Sequence, residues 1–352
     1  MEKIRMQIMY LLLALFCLPI NSMAKSKNSF TVLQLNLWEA GSHISDGHQK
    51  IVDVLSEVNA DVVFLCEIHG NKTVSKIVGD LEKRGVHYYG EAFDLNVGIL
   101  SKIKPDSLTA CCTIPGDEIR TLLKAVITID GQPVSFYSAH LDHRNYACYL
   151  PRGYSGASWS KIDDLVVDEK KVLEANRLSF RDESVRLFLQ YAQPDLSRGI
   201  PVVVGGDLNE PSHLDWQADT KDLLDHHGAV IHWDCSMMLH EAGFIDTFRE
   251  KYPDPVRVPG ITYPAGNKWA KLKQLTWASE ADERERIDFI YYFPGDSKLS
   301  LKHSVLVGPN ETVANGEIVK TSFDKYIFTP QGMWPSDHKG NLATFKIKRS
   351  KR

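Results

Sequence analysis

The segment Val202-Val-Val-Gly-Gly-Asp-Leu-Asn-Glu-Pro211 decides how the rest of the chain is read. Three β-branched residues followed by paired glycines predict a buried strand. The strand runs into Asp207 and Asn209, which project to the same side of an extended segment. Pro211, lacking an N–H and fixed in φ, closes the stretch. A carboxylate and an amide at the carboxyl end of a core strand lie where α/β proteins usually meet ligands. On their own they also describe an ordinary Asx turn, so their meaning depends on what else arrives at the same place.

Five other segments deliver polar groups in the same way. The alternating run Phe30–Trp38 carries Asn36, and Asp61-Val-Val-Phe-Leu-Cys-Glu67 ends in a carboxylate. Val134–His140 ends in an imidazole, Ile287–Tyr292 holds Asp288, and Ser336-Asp-His338 precedes a last strand at Leu342–Ile347. Further strands are expected at Val97–Leu100, Leu122–Ile129 and Leu299–Val307. Apolar residues at helical spacing predict helices over 51–58, over 74–81 with a stop near Gly85, over 172–191, and over Met237–Ala242 before Gly243. Residues 141–170, rich in Asn, Gly, Ser, Tyr and Trp, have no clear period; so long a loop is usually functional or mobile. With no repeats and no composition break, one mixed α/β domain over residues 25–352 is the economical reading.

Glu67 follows a fully apolar run, and a carboxylate there needs a cation or strong donors. Oxygen ligands from Glu67, Asn36 and Asp337 suit magnesium, with manganese or calcium also fitting. Zinc is less suited without a His or Cys cluster. His338 beside Asp337, with Asp288 on another strand, matches an imidazolium oriented by a carboxylate. General acid–base help contributes about 10²–10⁴ in rate, so positive charge must supply much of the remainder.

At 43% hydrophobic and 24% charged, the 352-residue chain has the balance of a soluble globular protein. Lys3 and Arg5, an apolar run from Met6 to about Phe16, and Ser22-Met-Ala24 predict a secretory signal peptide over residues 1–24. Removing Glu2, Lys3 and Arg5 takes the formal charge from −4 to −4 − 1 = −5. The expectation is an exported protein, periplasmic or extracellular, monomeric and without stable membrane insertion. That charge argues against a basic nucleic-acid glove. The cysteines show no Cys-x-x-Cys and no zinc spacing, and Cys66 in a core strand reads as a small buried hydrophobe.

The ordered set Gln34-Leu-Asn-Leu-Trp38, Leu65-Cys-Glu67, Ser138-Ala-His-Leu141, Gly206–Pro211, Arg286-Ile-Asp-Phe-Ile-Tyr291 and Ser336-Asp-His338 resembles the endonuclease/exonuclease/phosphatase (DNase I-like) superfamily. The resemblance implies a four-layer α/β sandwich, two mixed β-sheets flanked by helices, with the site at one end. It further implies a divalent-metal-dependent phosphoesterase, most simply a phosphodiesterase. Glu67 and Asn36 would hold the metal, with Asp337 reaching it through water. Asp207 would activate water, Asn209 would position it, His338 held by Asp288 would bond the phosphoryl oxygen, and His140 would assist the phosphate or the leaving oxygen. The substrate would be a nucleic acid, a phospholipid head group or a sugar phosphate. A phosphomonoesterase, or a silent relative that binds a phosphorylated ligand, is the alternative. Trp38 stands where many nuclease relatives place an acid, which puts a second metal in doubt. In the 141–170 loop, Arg144 and Arg152 are candidates to grip phosphate. His213 and Trp216 are candidates for the opposite wall.

Overall fold

The computed structural model describes residues 28–93, 95–111, 122–296, 298–321 and 324–348. The expected signal peptide lies outside them. Among the described residues no helix is long and apolar enough to cross a membrane.

The strands in chain order are β1 (Ser29–Asn36), β2 (Val62–Cys66), β3 (Tyr89–Glu91), β4 (Val97–Ser101), β5 (Ser107–Ala110), β6 (Leu122–Ile129), β7 (Gln132–His140) and β8 (Val202–Asp207). They continue as β9 (Ile245–Asp246), β10 (Asp288–Phe293), β11 (Leu299–Val307), β12 (Glu311–Ala314), β13 (Glu317–Lys320), β14 (Ile327–Phe328) and β15 (Gly340–Ile347). One sheet runs β14-β11-β15-β1-β2-β4-β3 and the other β5-β6-β7-β8-β10-β9, with β12 and β13 forming a separate ribbon. Both sheets are mixed: β1 pairs in parallel with β2, and β7 with β8, beside antiparallel neighbours.

Strand alternation explains the layers, because successive side chains face opposite sides of a sheet. In β1, Phe30 and Val32 face the other sheet and, with Phe64 and Phe345 of their own sheet, share a core with Phe136, Val203 and Tyr292 of the facing one. Leu33 and Leu35 face outward onto the helices α1 (Gly47–Val58) and α2 (Asn71–Glu82) through Ile51, Leu55, Val74 and Ile77. The second sheet likewise turns Tyr137, Val202 and Val204 outward. They pack on Val185 and Phe188 and on Leu239 of two further helices. Helix, sheet, sheet, helix is the four-layer order expected.

The run expected to be one helix over 172–191 is broken into α3 (Glu169–Asn176) and α4 (Arg181–Ser197). The break serves the buried Arg181, whose guanidinium donates to the carbonyls of Asp142, Arg144 and Asn145 at 2.6, 2.9 and 2.9 Å. Those bonds anchor the start of the 141–170 segment. The segment then packs Tyr146, Cys148 and Tyr149 against Trp216 and Trp233 in a core of its own, so it is a built wall rather than a mobile loop. Two short helices follow, α5 (Asp234–Glu241) and α6 (Thr247–Lys251). The described cysteines Cys66, Cys111, Cys148 and Cys235 are free and buried, as read for Cys66.

Candidate active site

The parity that fills the core also builds the site. Counting by twos along the inward face, β1 reaches Gln34 and Asn36 after Phe30 and Val32. Strand β7 reaches His140 after Val134 and Phe136, and β8 reaches Asp207 after Val203. Register does the rest. His140 pairs with Asp207 across the parallel β7–β8 ladder, and Asp288 pairs with Asp207 across the antiparallel β8–β10 ladder. Three side chains from distant parts of the chain therefore stand in one row, about one strand spacing apart. Gly206 is required for this approach, because a Cβ there would lie 1.8 Å from the Ala139 carbonyl oxygen.

The two sheets are joined at this end by hydrogen bonds. Gln34 Nε2 donates to Asp288 Oδ1 at 2.8 Å, Asn341 Nδ2 donates to the Asp288 carbonyl at 3.0 Å, and the Cys66 thiol donates to the Ala139 carbonyl at 3.1 Å. Burial pushes that thiol up, so it stays protonated as a donor.

Glu67 sits just past β2 with φ of 55°, and Asn209 just past β8 with φ of 49°. Left-handed backbone of this kind is costly for a residue with a Cβ and gathers at functional sites. The turn after β1 is also left-handed at Trp38, Glu39 and Ala40, and it aims the Glu39 N–H at Glu67 Oε2, 2.9 Å away. Asn36 Nδ2 bridges Glu67 Oε1 at 2.9 Å and Asp207 Oδ2 at 3.0 Å. Its oxygen accepts from the Trp38 N–H at 2.9 Å. Asn36 thus enters with its amide nitrogen, as a brace between carboxylates, and not with the oxygen expected of a metal ligand.

Asp207 is buried; Oδ1 accepts from the Asn209 N–H at 2.9 Å, and Oδ2 lies 3.7 Å from His338 Nε2 and 3.8 Å from His140 Nε2. Burial, then the charge of Asp288, pushes its carboxyl up to about 6. His338 Nδ1 meets Asp288 Oδ2 at 2.8 Å. Burial works against the imidazolium, but Asp288, Asp207 and Asp337 together hold it protonated well above its ordinary range. Burial would likewise raise Glu67, yet His140, His338 and its two N–H donors keep it below the usual carboxylate range. Asn209 Nδ2 donates to the Leu141 carbonyl at 2.9 Å and stands 3.3 Å from His140 Nε2. Asn96 faces the other ring nitrogen of His140 at 3.3 Å.

The residues around this row fit a hard divalent cation. Ligand atoms of Glu67, His140 and Asp207 lie within 4.8 Å of one another. Asp337 Oδ1 is buried with no hydrogen-bond partner, and burial with the nearby Glu67 pushes that carboxyl up to about 7. A buried carboxylate oxygen without a donor is suited to receive a cation.

Eight of the expected residues converge: Asn36, Glu67, His140, Asp207, Asn209, Asp288, Asp337 and His338. The four substrate-wall candidates do not join them. Arg152 is fully buried, paired with Glu285 at 2.6 Å, and donates to the Asp282 and Cys148 carbonyls at 2.7 and 2.9 Å. Trp216 lies in the core, its ring stacked on His226 at 3.7 Å. Arg144 is held by Asp142 at 2.8 and 3.0 Å. His213 meets Ser236 at 2.8 Å and lines a separate depression with His240 and Tyr291. Arg152 and Trp216 serve instead the packing of the 141–170 segment. The wall of the cleft, about 750 Å³, is made instead by Trp38, His43, Tyr146, Trp159, Tyr263 and Trp277. Tyr146 and Trp159 come from the aromatic 141–170 stretch, which the sequence offered as a substrate wall; Asn96, Gln34, His43, Tyr263 and Trp277 were missed.

A sandwich with an acid, amide and imidazole cluster at one end defines a class of phosphoesterase folds, and comparison with known proteins agrees. The chain belongs to the endonuclease/exonuclease/phosphatase family, whose model matches residues 33–338. It is 29% identical over 297 residues to the uncharacterized Caenorhabditis elegans protein F14F9.5, covering 81% of this chain and 85% of that one. Among solved structures it resembles D. rerio TDP2 complexed with single strand DNA product, at TM-score 0.53 and 18% identity over 91% of this chain and 99% of that one. It also resembles an AP endonuclease from Archaeoglobus fulgidus, at TM-score 0.51 and 16% identity over 89% and 98%. These likenesses establish the fold.

Proposed function

We propose that the chain is an exported, divalent-cation-dependent phosphodiesterase that directs water in line at phosphorus. The observation that carries this reading is the convergence of Glu67, Asp207, His140 and His338 from four strand ends around one small volume, with carboxylate and ring atoms 3.7 to 3.9 Å apart. Glu67 and Asp337 would hold the cation, with magnesium the first candidate and manganese or calcium alternatives. Bound there, it would supply positive charge to the phosphoryl oxygens.

The chain's own residues provide the rest. Asp207, a carboxyl poised near neutrality, is matched to accept a proton from the attacking water. Asn209, fixed by the Leu141 carbonyl, orients that water and the phosphate. His338 is kept cationic by Asp288 and donates Nε2–H toward a phosphoryl oxygen, where charge builds. His140, flanked by the amides of Asn96 and Asn209, faces the leaving side. The leader-like start of the sequence supports export.

The test is hydrolysis of bis(4-nitrophenyl) phosphate with magnesium, then with chelator. Asp207→Asn is expected to lower kcat by about 10²–10⁴ with little change in thermal stability. Turnover indifferent to both chelator and Asp207→Asn removes the reading.

A further inference from the structure

A column of rings leads from the buried core of the 141–170 segment to the mouth of the cleft. Tyr146 and Tyr149 meet Trp159 edge-on at 6.2 and 4.8 Å, and Trp159 stacks on Trp277 at 5.3 Å with the rings 27° apart. Trp277, the last ring, is 57% exposed. An indole face left open at the end of such a column can take a planar partner. Trp159 adopts φ of 59°, a conformation that costs about 1–2 kcal/mol for a residue with a Cβ. Trp38, which also lines the cleft and packs with Leu275, is left-handed too, at φ of 48°, and stacks on His43 at 4.3 Å. Two of the tryptophans that line the cleft are therefore held in strained backbone.

Charge sets the complementary constraint. Among the described residues that line the cleft, Lys273 is the sole lysine or arginine, against the carboxylates of Glu39, Glu67, Asp207 and Asp337. A nucleic-acid polymer needs several fixed cations along its phosphates. A single phosphodiester needs only the cation site and His338.

Resting on the phosphodiesterase reading, we propose that this cleft selects a small phosphodiester of one or two nucleosides, whose planar base stacks on Trp277, rather than a polymeric nucleic acid. The ring supplies the affinity that a basic groove supplies elsewhere, and base–aromatic stacking tolerates any base. The phosphorus then lies between Asp207 and His338, in the cleft that Trp277 also lines.

The experiment measures kcat/KM of the purified mature chain with magnesium on three probes. These are thymidylyl-thymidine, its analogue with one base replaced by hydrogen, and a long oligothymidylate. Removing the base is expected to lower kcat/KM about ten- to a hundredfold, carried mainly by KM. W277A should collapse the ratio between the first two probes, and W277F should restore most of it. Per bond, the polymer should be no better than the dinucleotide, with little dependence on salt between about 50 and 200 mM. Equal rates with and without the base, a ratio unchanged in W277A, or a steep salt dependence on the polymer would each overturn the proposal. Absence of turnover even on bis(4-nitrophenyl) phosphate would instead remove the phosphodiesterase reading. In that event tryptophan quenching by thymidine 5′-monophosphate but not by deoxyribose 5-phosphate still decides the stacking claim, and equal quenching refutes it.

Discussion

Arg152 shows why residue type alone misleads about a site. An arginine in a Tyr- and Trp-rich loop suits phosphate, yet here every direction of its guanidinium is taken by Glu285 and by carbonyls of the segments it joins. Arg152→Ala leaves Glu285 buried without its counter-charge, so a loss of about 3–5 kcal/mol in stability is expected. Denaturant unfolding would show it as a lowered midpoint. A normal midpoint with a raised KM would return the residue to the substrate. Asp288 has the opposite character: its carboxylate accepts from Gln34 and meets His338, and it acts through that imidazole. Asp288→Asn removes the strongest of the charges that favour the imidazolium. The folded-state pKa of His338 falls, and the alkaline limb of the kcat/KM profile moves to lower pH. An unmoved limb would show that His338 is not the group that must stay protonated.

At the level of elements, strands were easier to read than what lies between them. The runs around Val203 and Val63 are recognised because both faces of each strand are buried, which demands continuous apolar, β-branched residues. Those around Val126 and Phe345 show in their alternation, one face buried more deeply than the other. The polar residues at the ends of such runs stand out for the same reason, whereas Asp337 and His338, just before the last strand, were legible through the ordered motif they complete. Asn96 and Gln34 were not, since an amide before or within a strand looks like any other until the partner sheet is in place. The short strands β3, β9 and β14 escape because two or three residues carry no periodicity. The break between α3 and α4 escapes because its cause is the side chain of Arg181, reaching back to carbonyls 36 to 39 residues away in sequence. The paired glycines of β8 are the clearest local signal. Gly206→Ala must push β8 from β7, since its Cβ would meet backbone and not a side-chain end. A loss of stability of about 1–3 kcal/mol is expected, together with a lowered kcat as His140 and Asp207 separate. Retained activity with unaltered melting would show that the sheet yields more easily than its packing implies.

Across the whole molecule, the site is held at an electrostatic cost that the proposed cation would relieve. Burial raises Asp207 to about 6 and Asp337 to about 7, above the unfolded value near 4. For a carboxyl raised in this way, the contribution to stability is fully present below about pH 4 and is lost as pH climbs through 6 to 7. A cation binds the deprotonated carboxylates, so its stabilising effect grows over the same range. The rise in Tm on adding magnesium is expected to be larger at about pH 8 than at about pH 5. Equal shifts at the two pH values would show that these carboxyls do not receive the ion.

The chain order of the converging residues carries one more implication. Asn36, Glu67 and His140 all precede the exposed stretch at Asp163 and Asp164, whereas Asp207, Asp288 and His338 all follow it. Each half contributes strands to both sheets. On the proposed reading, a chain severed there is expected to give two halves without turnover, because neither carries the whole site, and activity would return only where the halves rejoin.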